Sequence, residues 1–153
     1  MKLFPWKKKK DFFTEEEKLQ LIEAIRKAEQ RTSGEVRLFI ESRCRFMDAV
    51  DRAREIFFQL EMERTELRNA TLIYIAVDDK QTAVFGDEGI HQKVGADYWK
   101  NVVQKMLLEF RQEKLVDGIC TAIAQLGEAL THHFPYNSDT DKNELPDEIV
   151  FGR

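Results

Sequence analysis

Residues 69–90 read "NATLIYIAVDDKQTAVFGDEGI", and this stretch decides how the chain folds. Its opening run, "NATLIYIAV", is nearly all apolar, the pattern of a strand covered on both faces. "DDKQ" is turn-like, and "TAVFG" is a further strand. So short a link makes the two strands an antiparallel hairpin. The stretch also carries two acidic pairs, Asp78-Asp79 and Asp87-Glu88. A strand of roughly five residues rising ~3.3 Å each puts ~15 Å between them. Side chains cannot share one ion over that distance, so the pairs belong to opposite rims of the sheet.

Upstream, "EVRLFIES" alternates: Val36, Leu38 and Ile40 point one way, Glu35, Arg37, Phe39 and Glu41 the other. Before it, "TEEEKLQLIEAIRKAEQRTSG" is a helix with its punctuation. Thr14 caps, Glu17 completes a capping box, and Gly34 ends the element. Helical spacing recurs over residues 47–64 (Met47, Val50, Ala53, Phe57, Leu60), 97–112 (Trp99, Val103, Met106, Phe110) and 115–134 (Ile119, Ala122, Ile123, Leu126, Leu130). The helical segment at 47–64 is long enough for a right-handed crossover between parallel strands. The expected fold is α/β: a three-layer α/β/α sandwich with a small mixed sheet and helices on both faces. Residues 1–13 read as a basic N-terminal arm, 14–134 as the domain, and 135–153 as an acidic tail that packs loosely or hangs free.

At 153 residues, with 42% hydrophobic and 34% charged side chains, the chain is of one-domain size and can bury a core. A net charge of −4 argues against a generic nucleic-acid binder, which is usually basic. The two cysteines, Cys44 and Cys120, lack metal-ligand spacing and read as reduced thiols. No apolar run reaches membrane-spanning length, and "MKLFPWKKKKDFF" lacks the apolar region of a secretory signal, so the expected setting is the cytoplasm. The basic run reads first as a solvated arm. Contact with an anionic lipid surface is the sharper alternative, weakened by the lack of an anchor.

The rim opposite the hairpin turn collects the loops before each of the first two strands and the loop after the third. It can bring together Ser33, Glu35, Glu66, Asn69, Asp87, Glu88 and Asp97, hard oxygen donors of the kind calcium and magnesium take. Gly86, Gly89 and Gly95 permit the backbone turns that aim carbonyls at a cation. Ligands of open α/β sheets, however, bind outside the carboxyl ends of parallel strands, which favours Glu41, Asp48, Asp78 and Asp79 on the other rim. The residues alone leave both rims open. Plainer roles stand beside each. Asp87 and Asp97 suit helix caps, Asp78 and Asp79 suit a turn, and Glu35 suits an exposed strand position. In the tail, Asp139, Asp141 and Asn143 imitate EF-hand spacing, but Glu144 and Val150 stand where that loop needs glycine and glutamate. His91, His132 and His133 have no partner at ligand spacing, and no phosphate-binding, zinc-protease or nucleophile-elbow motif is present.

"TSGEVRLFIE" at 32–41, the 69–90 stretch and "VGADYW" at 94–99 together resemble the TPM domain family, in order, over residues 14 to about 130. The ending resembles that of a short, soluble bacterial subgroup. The resemblance implies the α/β/α fold and divalent-cation binding, calcium above magnesium, with a disputed acid-phosphatase activity. It maps the family's motifs to the Asp87-Glu88 rim, and so implies Glu35, Asn69, Asp87, Glu88 and Asp97 as metal ligands. One departure is the Gly-x-Gly motif, which here is Gly86-Asp87-Glu88-Gly89. Many relatives also carry a signal peptide and a membrane segment, neither of which is expected here. The leading expectation is a calcium-binding module. The alternatives are a metal-dependent phosphatase, in which the ion polarises a phosphoryl oxygen, and a non-catalytic module that meets a protein partner through its arm or tail.

Overall fold

The computed structural model describes residues 12–136 and 149–152. Thr14 accepts from the Glu17 amide and Glu17 Oε1 accepts from the Thr14 amide, so the capping box closes as its sequence dictates. It opens α1 (Glu15–Glu29), which presents Leu21 and Ile25 to the core. Next come β1 (Glu35–Glu41), α2 (Ala49–Gln59), β2 (Ala70–Ala76) and β3 (Gln81–Gly86). The chain continues through α3 (Glu88–Val94), α4 (Ala96–Arg111), α5 (Leu115–His133) and β4 (Ile149–Phe151).

The strands form a four-stranded sheet in the order β3-β2-β1-β4. β1 runs parallel to β2 and to β4, while β2 and β3 are antiparallel. The crossover and the hairpin are therefore as the spacing predicts. The period of two along each strand splits the core in two. Val36, Leu38, Ile40, Ile73, Ile75 and Val84 face α1, α4 and α5. Phe39, Leu72, Tyr74 and Ala83 face α2, through Ala53, Ile56 and Phe57. Each fully buried aliphatic or aromatic side chain contributes about 1.5–3 kcal/mol. Cys44 and Cys120 are free thiols, and burial pushes the Cys120 thiol pKa up.

Three expectations change. The second helix stops at Gln59, because the chain turns at Leu60 and Glu61, the latter at φ 57°. The loop after β3 contains a seven-residue helix, α3. The tail does not simply hang free: Ile149–Phe151 pairs with β1 as β4, and Phe151 stacks on Phe12. The EF-hand-like residues 139–144 and most of the basic arm lie outside the described residues.

Candidate functional site

Backbone hydrogen bonds draw three loops together at the rim opposite the hairpin turn. The Glu35 amide donates to the Asn69 carbonyl at 3.4 Å, Asp87 to Ala70 at 2.9 Å and Gly89 to Arg68 at 2.8 Å. Gly89 lies so close to the Leu67 and Arg68 carbonyls that a Cβ there would collide with backbone. Here glycine is required by close approach. The Ser33 amide ties the first loop to the Phe134 carbonyl.

The acidic pair at this rim is compensated from within. Arg68 Nε donates to Asp87 Oδ2 at 2.6 Å and Nη2 to Oδ1 at 2.9 Å, while Nη1 reaches Glu88 Oε1 at 3.1 Å. Asp87 is buried and caps α3, accepting from the Glu88 amide at 2.8 Å. Glu88 is exposed. The Arg68 pKa is raised, first by the Asp87 hydrogen bond, with further attraction from Asp87, Glu88 and Glu63. Arg68 achieves this at φ 52°, in the left-handed region that disfavours a side chain.

Asn69 is buried at 1% exposure, with its amide nitrogen donating to Ser33 Oγ at 3.2 Å. Its carbonyl oxygen, Oδ1, is buried and has no donor among the described residues. The same holds for Glu63 Oε1. Orphaned buried acceptors are uncommon and ask for an explanation. Glu35 is buried at 5%, which corrects its plain reading as an exposed strand position. Asp97 sits exposed in the first turn of α4, whose cap is Gly95 at φ 82°. Among the described residues no side chain bridges it to Asp87 or Glu88. The loops thus bring Ser33, Glu35, Asn69, Asp87 and Glu88 to one rim. Among the described residues no three His, Cys, Asp or Glu side chains are grouped to hold a metal ion.

Sequence reasoning missed Glu63 as a member of this cluster and Arg68 as the ion-pair partner. The hint for Arg68 was its place beside Asn69, in a loop that had to end at the rim.

The other rim is engaged structurally. The Asp79 carboxylate accepts from the Cys44 amide at 2.7 Å, and Lys80 turns the hairpin at φ 54°. Glu41 is buried at the end of β1, gripped by Arg52 Nε and Nη2, both at 2.9 Å, and by the Tyr74 hydroxyl. Asp48 caps α2. Back at the Asp87 rim, His91 of α3 accepts from the Trp99 indole at 2.9 Å.

The TPM domain model matches residues 7–129. Ten chains of solved structure match. One is the BA42 protein of the psychrophilic bacterium Bizionia argentinensis, solved by NMR. It is 39% identical, with a TM-score of 0.85 over 95% of this chain and 99% of that one. None of the curated proteins compared with the chain matches it. No helix among the described residues is long and apolar enough to cross a membrane.

Proposed function

The chain belongs to the TPM domain family, and from that premise we propose that it is a divalent-cation-binding domain, with calcium the favoured ion. The observation that carries this reading is the Asn69 side-chain oxygen, buried and without a donor where acid-rich loops converge. A carbonyl oxygen of this kind is a natural calcium ligand, and calcium takes 6–8 oxygens in flexible geometry. Asp87 and Glu88 supply carboxylates, and Glu35, Asp97 and the newly recognised Glu63 are within the same loops or beside them. Arg68 is the internal cation in this arrangement. Calcium binding releases its guanidinium from Asp87 and Glu88 and draws the loops at 31–35, 65–69 and 86–97 around the ion.

A calcium titration followed by amide chemical shifts tests this. Shifts should cluster in those three loops. Their absence at millimolar calcium would sink the proposal. Phosphatase chemistry has less support. Arg68, the cation best placed to clamp a phosphate, is held by two carboxylates, so a phosphoryl group would have to displace both.

A further inference from the structure

β3 is an end strand of the sheet. A groove of about 810 Å³ is lined by Val50, Arg54 and Phe58 of α2 and by Trp99, Lys100 and Val103 of α4. These two helices pack on opposite faces of the sheet, α2 in one core layer and α4 in the other. A single groove touching both must pass around the edge of β3. Consistent with that, Thr82, Val84, Phe85 and Gly86 also line it.

The backbone groups offered along this edge follow from the ladder. The Asp87 amide donates to Ala70 across the β2–β3 pair. Antiparallel strands alternate residues that turn to the partner with residues that turn away. Phe85, Ala83 and Gln81 therefore face β2, and Gly86, Val84 and Thr82 direct their N–H and C=O groups into the groove. Natural edge strands are usually blunted by lysine, proline, a bulge or a covering loop. "QTAVFG" holds none of the first two, and its register with β2 runs unbroken from Gln81 to Gly86. The groove walls are apolar where a strand's side chains would land. Val50 is 59% exposed and Phe58 41% exposed, so apolar surface is available beside the strand edge.

Charge selects the occupant. Arg54 and Lys100 stand exposed on the two walls, with no ion-pair partner among the described residues. The acids of the lining, Asp87 and Glu88, are already held by Arg68. The unpaired charge of the groove is basic. We infer that the β3 edge receives an extended acidic peptide segment of a partner protein, added as a fifth strand between α2 and α4. Backbone hydrogen bonds to Thr82, Val84 and Gly86 supply the register. Successive side chains of an added strand point to opposite walls, so a segment whose apolar and acidic residues come in neighbouring pairs offers each wall both kinds: apolar side chains beside Phe58 and Val103, carboxylates toward Arg54 and Lys100. A strand of about six residues, ~20 Å long, matches β3.

A capped eight-residue peptide of repeating Glu-Glu-Val-Val, which shows glutamate and valine on both faces, is the probe, read by amide shifts and hydrogen exchange of the full chain. The expected result is saturable shifts at Thr82, Val84 and Gly86, with exchange of these amides slowed at least fivefold. A lysine–valine peptide should bind at least tenfold more weakly, as should the acidic peptide N-methylated along its bonding edge. Arg54→Glu with Lys100→Glu, both exposed and remote from the fold's core, should reverse the preference between the acidic and basic peptides. The inference is overturned if no peptide binds at millimolar concentration, if N-methylation has no effect, or if the two charge types bind alike. It is also overturned if the edge amides are protected without peptide in proportion to protein concentration, which would assign the edge to a second copy. The groove shares Gly86, Asp87, Glu88 and Arg68 with the proposed cation site, so the peptide titrations are run with a calcium chelator present, and Thr82 and Val84, outside the cation loops, carry the reading that separates the two tests.

Discussion

Arg68 holds both carboxylate oxygens of Asp87, nineteen positions further along the chain, and does so from a left-handed backbone conformation. The pair is asymmetric: Asp87 is almost wholly buried, while about a third of the Arg68 side chain is exposed. Removing the arginine leaves a buried charge without its partner, which is costly. Arg68→Ala should destabilise the calcium-free protein, modestly because water reaches the guanidinium. The same change removes the competitor for the proposed ion, so calcium affinity should rise severalfold and calcium should restore the lost stability. Urea unfolding with and without calcium, together with calorimetric titration, measures both. Unchanged calcium affinity would show that the guanidinium does not stand in the ion's place.

Gly89→Ala tests the packing of the loops independently of charge. The added methyl collides with the Leu67 and Arg68 carbonyls, and backbone cannot yield as a side-chain tip can. The loops at 65–69 and 86–89 must separate, at a cost of about 2 kcal/mol or more. The amide bond from Gly89 to Arg68 should show faster hydrogen exchange, with the sheet itself little changed. Gly95→Ala probes the neighbouring cap. There no atom crowds the site, but φ is 82° and ψ 168°, a backbone region essentially reserved to glycine, so strain of about 1–3 kcal/mol is the expected cost.

The parts of this fold legible in the sequence are those written in local periods. The capping box of α1, the alternation of β1 and the apolar run of β2 each need only neighbouring residues to be seen. β4 was not legible, because three apolar residues in a polar tail have no period, and their pairing with β1 is set by tertiary contact. α3 is only seven residues long and carries one buried side chain, Ile90, so its amphipathic signal is weak. The burial of Glu35, Arg37 and Glu41 follows from β1 lying inside the sheet, between β2 and β4, with α2 over that face. Of the candidate site, the acids and the rim could be read. Arg68 could be placed at the rim by its position beside Asn69, but its pairing with Asp87, and the nearness of Glu63, could not be read, since a charge pair across many residues leaves no local pattern.

Tyr98 links stability to alkaline pH. Burial first, and Glu128 second, push its pKa from the ordinary 10.0 up to about 12. The unfolded chain then loses its phenolic proton at a lower pH than the folded one. Stability is fully present below about pH 10 and declines as pH rises toward 12. Tyr98→Phe removes this contribution to the slope, and the hydroxyl's hydrogen bond to the Gln125 carbonyl at 3.0 Å with it. At neutral pH the variant should be less stable by about 1 kcal/mol, and its stability should fall less steeply between pH 10 and 12. Urea midpoints across that range measure the difference. Equal slopes would mean that Tyr98 ionises alike in both states.

Tyr74, Glu41 and Arg52 form a connected polar group beneath α2. Glu41 is buried and accepts from both Arg52 and Tyr74, whose own hydroxyl pKa is raised by burial and then by Glu41. A buried carboxylate is tolerated only while its donors remain. Tyr74→Phe removes one donor but leaves the two guanidinium bonds, so it should cost about 1–2 kcal/mol. Arg52→Ala removes the compensating charge and the link to Glu55, and should cost more, about 2–4 kcal/mol with allowance for partial solvent access. Glu41→Gln should then lessen the penalty of Arg52→Ala, because the charge that needs compensation is gone. A double-mutant cycle by urea unfolding reads this as a coupling of about 1 kcal/mol or more. Additive losses would mean that Glu41 is satisfied by water rather than by Arg52. The outcome also bears on function, since a Glu41 held this way is not available to a ligand at the hairpin rim.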